Sequence, residues 1–344
     1  MRALLIVPPP VKAAGGPLLG VSMLRGAAEA AGHHVDVLDL AILENHSRCD
    51  LTNLSTPTGL AGDHDKNAQE LSFAELSFLR EALVSGPGNG LVVDDLKEAR
   101  LSFRQMDDLA EALASSRWGE SAIKHLSAFS PPGLVGISVM FAGQVLAALA
   151  VTQLVRKLWS VPVVWGGAHV TALAPEIASD PKYGRSVDGF VAGYAERTFV
   201  KLLDSIQRGD PWTGVFRAGK GEVTRAEDDP SVVPVYGDLA LYGKPRLTLP
   251  AQVSRGCSYG ACTYCTYPAV EGPFRAAPAL GHAQQVVSKA ESLGAVVSFK
   301  DSLLKLEILE ALSDMINGRV AWSGSTKLSG ELAKLIPRVA NTGC

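Results

Sequence analysis

The chain has 344 residues, of which 47% are hydrophobic and 19% charged, and its formal net charge is -3. This length and composition suit two globular domains of ordinary size and argue against intrinsic disorder. Lys and Arg residues are scattered and form no basic face or tail, so we expect neither nucleic acid nor membrane as a partner.

The strand and helix patterns alternate through residues 1–208. A continuous apolar run at 2–7 suits a buried parallel strand, and a helical pattern at 18–31 followed by a strand pattern at 35–40 completes a βαβ unit. The alternation returns further on, with strands at 134–139, 162–165 and 189–192 and helices at 144–159 and 197–206. This alternation predicts an α/β fold, a doubly wound parallel sheet of the Rossmann or flavodoxin-like kind, whose ligands bind at the carboxyl ends of the strands.

Two other stretches interrupt this pattern. Residues 44–130 are predicted as a helical insertion, with helical patterns near 70–83 and 106–114, which is either a cover for one sheet face or a separate functional module. Residues 209–250 are rich in Gly, Pro and charge and are predicted as a linker containing a small hairpin at 214–225.

Targeting and redox signals are weak. The apolar start, residues 1–10, is too short for a signal peptide and suits a buried first strand. The chain has five cysteines, and three of them lie in one motif while Cys49 and Cys344 are isolated. A disulfide framework is therefore not expected, and we predict a reducing, cytoplasmic location.

Glycine pairs follow the predicted strands. Gly15 with Gly16, Gly166 with Gly167, and Gly193 would let a large planar cofactor approach the backbone at the strand ends. A nicotinamide site needs GxGxxG directly after the first strand, where this chain has three prolines instead.

The most informative motif is CSYGACTYC, with Cys257, Cys262 and Cys265 preceded by VSRG. Three thiolates suit a 4Fe–4S cluster that keeps one iron free for another ligand. A zinc site with His282 or Cys344 as fourth ligand, or three unligated thiols, are the alternatives.

The cysteine motif resembles the CxxxCxxC signature of radical S-adenosylmethionine enzymes, with one additional residue in the first spacing and an aromatic residue, Tyr264, before the last cysteine. The first half of the chain resembles the cobalamin-binding domain that precedes many of these enzymes. The resemblance rests on PPP after the first strand, LG at 19–20, GIS at 136–138, WGGAH at 165–169 and GYAE at 193–196.

This resemblance implies three groups of binding residues. Cys257, Cys262 and Cys265 would hold the cluster, and Tyr264, Asp301 and Ser302 would bind S-adenosylmethionine. For Asp301 and Ser302 the alternative role is an N-cap of the next helix, and for His169 it is a loop histidine with structural hydrogen bonds. The residues implied for cobalamin follow the strand ends: Pro9, Pro10, Gly16, Leu19, Ser138, Met140, Phe141, Gly166, Gly167, His169, Gly193, Tyr194 and Glu196.

Residues 251–344 are predicted as the N-terminal half of a radical S-adenosylmethionine (β/α) barrel. The predicted helices are 281–293, 303–316 and 329–340, and the predicted strands are 295–299 and 319–322. This is about three βα units. We therefore expect a truncated barrel, either in a fragment of a longer enzyme or in a chain that a partner completes.

The resemblance implies a cobalamin-dependent radical S-adenosylmethionine methyltransferase. Such an enzyme forms a 5′-deoxyadenosyl radical and methylates an unactivated carbon of a natural-product or peptide substrate, and it takes electrons from a donor such as flavodoxin or ferredoxin. One alternative is a rearrangement or cyclisation enzyme with the same cofactors. The other is a non-catalytic cobalamin-binding protein with an incomplete barrel.

Overall fold

The computed structural model describes residues 1–9, 15–47, 69–70, 100–242 and 246–344. Pro10, Cys49 and nearly all of the predicted helix at 70–83 lie outside these residues. Within the described part, the chain has a mixed α/β fold with parallel sheets.

The predicted strands and helices of residues 1–208 that the structure describes have ends that differ by at most three residues from the prediction. The strands are β1 (Arg2–Val7), β2 (His34–Asp39), β3 (Gln69–Glu70), β4 (Arg100–Leu101), β5 (Leu134–Ser138), β6 (Val163–Gly166) and β7 (Gly189–Phe190). The helices are α1 (Leu19–Ala30), α2 (Leu40–Ser47), α3 (Phe103–Ala114), α4 (Arg117–Ser127), α5 (Val145–Leu158), α6 (Ala168–Ala172), α7 (Ala174–Ser179) and α8 (Glu196–Arg208).

Five of these strands form one parallel sheet in the order β2-β1-β5-β6-β7, counted over the described residues. The strand β1 lies between β2 and β5, and its register pairs Ala3 with Val35 on one side and with Leu134 on the other. Its residues from Ala3 to Val7 are all buried, which explains the continuous apolar run. The strand β2 lies on one side of β1 and the later strand β5 on the other, and such a reversal of strand order places a crevice at the carboxyl ends of the strands.

Helices cover both faces of this sheet. On one face, α1 and α8 pack against β1 through Val21, Phe199 and Leu202. On the other face lies α5, and α3 and α4 belong to the same buried cluster. The helices α3 and α4, from the described part of the predicted insertion, pack in the same apolar cluster as α5.

The second part of the chain contains a smaller parallel sheet. The strands of this part of the chain are β8 (Thr248–Ala251), β9 (Ser254–Arg255), β10 (Arg275–Ala276), β11 (Val296–Phe299) and β12 (Trp322–Ser323), and its helices are α9 (Tyr267–Glu271), α10 (Ala283–Leu293), α11 (Leu306–Ile316) and α12 (Gly330–Asn341). Among the described residues, β12, β11 and β8 form a sheet in that order, and β9 pairs with β10 in antiparallel fashion.

The strand β8 was not predicted, because it contains Pro250 and a proline weakens a strand pattern. Within the described residues β8 pairs with β11 alone, so the missing N–H of Pro250 is tolerated at a sheet edge. The carbonyl of Pro250 accepts a hydrogen bond of 2.8 Å from the hydroxyl of Tyr236.

The predicted hairpin at 214–225 is wrong. Phe216 pairs antiparallel with Phe190, and Arg225 pairs in parallel with Ala192. The segment therefore runs along the β7 edge of the large sheet instead of pairing with itself. A separate apolar core draws on residues from Tyr236 onwards. In the part of the chain that the structure describes, no helix combines the length and the apolar character that crossing a membrane requires.

Candidate functional site

A cavity of about 280 Å³ lies between the large sheet and the helices α1 and α8. Its floor includes Leu5 and Val164 of the sheet, and its walls are mainly apolar. Gln252, Glu271 and Lys300 of the second part also line it. Both parts of the chain therefore contribute to one apolar cavity at the carboxyl ends of the strands, a common place for a cofactor.

Most residues predicted for cobalamin line this cavity. They come from the start of α1 and from the loops after β5, β6 and β7: Leu19, Ser138, Met140, Gly166, Gly167, Gly193, Tyr194 and Glu196. The structure thus brings together residues that are up to 177 positions apart in the sequence. In the sequence these residues share only their predicted placement near strand ends.

Four described residues predicted for cobalamin do not line this cavity: Pro9, Gly16, Phe141 and His169. Phe141 is 59% exposed, and Pro9 is buried beside the end of β1 without lining the cavity. His169 lines a second cavity of about 60 Å³ next to Tyr183 and Arg185, and burial lowers its pKa. Pro10 lies outside the described residues.

Gly16 makes a close approach to protein. A Cβ at this position would come within 1.7 Å of the Thr248 carbonyl oxygen in β8. Next to it, the N–H of Thr248 donates a hydrogen bond of 2.8 Å to the carbonyl of Gly15. The absence of a side chain at Gly16 is therefore explained by its contact with the small sheet.

The three cysteines lie on residues 257–265, which we call the cysteine loop. Their thiols are free and only partly buried, and Tyr264 beside them is 88% exposed. A hydrogen bond with Cys262 raises the pKa of Tyr264. Among the described residues, no three His, Cys, Asp or Glu side chains are grouped closely enough to hold a metal ion.

The donor chemistry of the cysteine loop fits an iron–sulfur cluster, and thiols are also zinc ligands. Three thiols within nine residues supply three soft ligands. His282, the first predicted zinc ligand, is buried, and its Nε2 accepts a hydrogen bond of 3.2 Å from the Gln252 N–H. Burial lowers the pKa of His282 to about 4. One ring nitrogen of His282 is therefore already engaged by the backbone.

The four residues before the cysteine loop, 253–256, form what we call the lead segment. All four are buried. The Asp301 carboxylate accepts hydrogen bonds from the backbone N–H of Val253 at 3.1 Å, from the N–H of Ser254 at 2.5 Å and from the Ser254 hydroxyl at 2.6 Å. Asp301 thus holds the start of the lead segment, and α11 begins only at Leu306 after Lys305, so Asp301 and Ser302 are not its N-cap.

Burial dominates the electrostatics of Asp301. It raises the pKa of the carboxyl to about 6, although the hydrogen bonds from Ser254 and Val253 act in the opposite direction. The neighbouring Ser302 hydroxyl is buried and has no hydrogen-bond partner among the described residues.

Arg255 occupies the third position of the lead segment. Its guanidinium forms a bidentate pair with the Glu196 carboxylate, at 2.7 and 3.1 Å, and both side chains are only 3% exposed. It also contacts Asp228 at 3.0 Å and lies 4.1 Å from the centre of the Tyr194 ring. Burial opposes the charge, but Glu196, Asp228 and Tyr194 together more than offset it, so the pKa of Arg255 is raised.

Gly256 completes the lead segment. Its N–H donates a hydrogen bond of 3.0 Å to the Glu271 carboxylate. Its φ of +73° favours glycine, and a Cβ would come within 2.5 Å of the Gly272 carbonyl oxygen. A residue with a side chain would therefore displace the backbone directly before Cys257.

Sequence reasoning missed Asp228 and Glu271 and the full role of Arg255, and it assigned Glu196 and Asp301 to cofactors and not to the lead segment. Arg255 and Gly256 were noted only as flanks of the cysteine motif. Glu271 and Asp228 carry no local motif, and nothing in the sequence connects them to residues 255 and 256. Gln252, whose amide donates a hydrogen bond of 3.0 Å to the Tyr194 hydroxyl, was missed for the same reason.

Two solved structures of the radical S-adenosylmethionine methyltransferase TsrM from Kitasatospora setae are similar to this chain. The one with cobalamin and a 4Fe–4S cluster bound is 16% identical, with a TM-score of 0.59, covering 98% of this chain and 57% of that chain. The one with tryptophan substrate and the analogue aza-SAM bound is 17% identical, with the same TM-score and coverage. At this identity the likeness is one of fold, and our chain spans less than two thirds of the length of those proteins.

No protein-family model matches the chain, and a comparison with curated proteins gives no match.

Proposed function

We propose that this chain belongs to a cobalamin-dependent radical S-adenosylmethionine enzyme that methylates an unactivated carbon of a natural-product or peptide substrate. The observation that carries the proposal is the arrangement of the cysteine loop. The cysteine loop comes immediately after the buried lead segment along the chain. In that segment, Arg255 contacts Glu196 and Tyr194 in the wall of the sheet cavity. The likeness in fold to TsrM supports the same reading.

The proposal divides the chain into two binding regions. Residues 1–208 would bind cobalamin in the apolar cavity, and residues 251–344, with the linker 209–250 between them, would bind the cluster and S-adenosylmethionine. When bound, the reduced cluster supplies the electron that cleaves S-adenosylmethionine, and cobalamin supplies the methyl group. An electron donor such as flavodoxin or ferredoxin would act on the cluster.

The residues of this chain would then bind and orient the cofactors. Cys257, Cys262 and Cys265 would hold three irons of the cluster. The aliphatic walls of the cavity would exclude water, and Tyr194 keeps its proton because burial and the Glu271 charge raise its pKa. Ser302 has a buried hydroxyl that could donate to a ligand.

The test is anaerobic reconstitution of the full chain with iron, sulfide and hydroxocobalamin, followed by metal analysis. We expect about four irons and one cobalt per chain. Adding dithionite and S-adenosylmethionine should then give 5′-deoxyadenosine. A Cys344→Ser variant is the matched control and should load equally. A protein that binds zinc, or neither iron nor cobalt, would contradict the proposal.

A further inference from the structure

Arg255 is close to the cysteine loop along the chain. One residue, Gly256, separates it from Cys257. Two peptide units span at most about 7 Å between Cα atoms. A movement of the Arg255 backbone is therefore passed almost directly to the first predicted cluster ligand.

Arg255 is also close to the sheet cavity in space. Its two main partners, Glu196 and Tyr194, both line that cavity. The Glu196 carboxylate is occupied by protein contacts, because its Oε2 also accepts a hydrogen bond of 3.1 Å from the Asp229 N–H. Glu196 is thus committed to protein contacts at the base of α8.

The geometry of the pair is well defined. A guanidinium that meets a carboxylate through two parallel hydrogen bonds fixes direction as well as distance, which an ammonium group does not. The stacking on Tyr194 fixes the remaining rotation of the guanidinium plane. The Arg255 guanidinium is therefore held by two residues of the cavity wall, Glu196 and Tyr194.

We infer that Arg255 is a positioning residue that sets the placement of the cysteine loop relative to the sheet cavity through Glu196 and Tyr194. The inference rests on the proposed function, because it concerns how a cluster on one part of the chain meets cobalamin on the other. It also gives Glu196 a different role from the predicted cobalamin contact. Glu196 instead fixes the position of the Arg255 guanidinium through their bidentate pair.

The test uses the full chain, reconstituted anaerobically with iron, sulfide and cob(II)alamin and then reduced only far enough to reduce the cluster while the cobalt stays as Co(II). Cob(II)alamin and the reduced cluster are both paramagnetic, so their electron paramagnetic resonance spectra report the distance between them. The double variant Arg255→Met with Glu196→Gln removes both charges together and leaves no unpaired buried ion. Arg275→Met is the control, because Arg275 pairs with Arg255 in the β9–β10 ladder and shares Asp228, yet its side chain is 48% exposed.

We expect the wild-type chain and Arg275→Met to show the same defined magnetic splitting. The double variant should load both groups and show a broadened or lost splitting. A fully loaded double variant with the wild-type splitting would overturn the inference and leave the proposed function intact. A wild-type chain that binds neither group would contradict the proposed function and the inference with it.

Hydrogen exchange of the full chain without cofactors gives a second readout that does not depend on loading. In the double variant, the amides of 256–265 should exchange at least about tenfold faster, because loss of the pair lowers the local opening free energy. The amides of β1 should not change. Equal exchange of 256–265 in the wild-type chain and the double variant would also overturn the inference.

Discussion

Two neighbouring segments of this chain are held in opposite ways. The lead segment, 253–256, is buried, and carboxylates of Glu196, Asp228, Glu271 and Asp301 contact it. The cysteine loop, 257–265, is largely exposed and its thiols are free. Under the proposed function, the fold would build the support of the site, and the cysteines would be left to adapt when a metal group binds.

The largest expected effect separates ligand function from stability. Cys257→Ala should reduce the iron bound after reconstitution from about four atoms per chain to almost none, because a cluster with two thiolates is not retained. The same change should leave the unfolding midpoint of the apo chain nearly unchanged, since the thiol is half-buried and free. Iron analysis and thermal unfolding measure both. A variant that keeps its iron would remove the cysteine loop from the site.

The next effect concerns the lead segment. Arg255→Met leaves the Glu196 carboxylate buried and unpaired, which should lower the free energy of unfolding by about 3–5 kcal/mol. Arg275→Met removes an exposed ion pair to the same Asp228 and should cost at most about 1 kcal/mol. Urea denaturation of the two variants gives the comparison.

Adding Glu196→Gln to Arg255→Met should recover part of the lost stability, because the unpaired charge is removed. Equal stability of Arg255→Met and Arg275→Met would show that the lead segment is not held as the structure indicates.

Two adjacent residues after β11 offer a finer comparison. Asp301→Ala leaves the buried N–H groups of Val253 and Ser254 without an acceptor, which should cost about 1–3 kcal/mol of unfolding free energy. Ser302→Ala removes a hydroxyl that has no partner in the described residues and should change stability by less than about 0.5 kcal/mol. The same denaturation series measures both variants, and a larger loss for Ser302→Ala would reverse the assignment.

The smallest effect is a pH dependence with two opposing parts. Burial lowers the pKa of His282 from 6.5 to about 4, so the unfolded chain is protonated first and stability is lost as the pH falls from 6.5 towards 4. Burial raises the pKa of Asp301 from 3.8 to about 6, so the folded chain is protonated first and stability is gained as the pH falls from 6 towards 3.8.

These two contributions can be separated by variants. When the pH falls from 7 to 5, the unfolding free energy of His282→Gln should rise by on the order of 1 kcal/mol relative to that of the wild-type chain. The unfolding free energy of Asp301→Asn should fall relative to wild type by a similar amount, on the order of 1 kcal/mol. Urea denaturation at the two pH values measures this. Parallel pH profiles for all three proteins would contradict the burial of these groups.

The sequence predicted most of what depends on local pattern. The buried run of β1, the alternation around the large sheet and the cysteine motif are all readable from neighbouring residues. The loops after β5, β6 and β7 were correctly expected to meet, because parallel strands present their carboxyl ends at one edge.

The sequence could not predict the support of the site. Glu196 and Arg255 are 59 positions apart, and Asp301 is 47 positions from Ser254. Their pairing depends on how the two parts of the chain pack, which no local spacing encodes. The same packing explains the contact of Gly16 with β8, at a position for which the sequence suggested a cofactor. Pro250 similarly concealed β8 itself.

The most direct test of the central claim is Mössbauer spectroscopy of the full chain reconstituted with ⁵⁷Fe, recorded with and without S-adenosylmethionine. Three cysteine ligands predict a cluster of four irons in which one iron, and not the other three, changes its signal when S-adenosylmethionine is added. A spectrum that does not respond to S-adenosylmethionine, or a chain that retains no iron, would contradict the account.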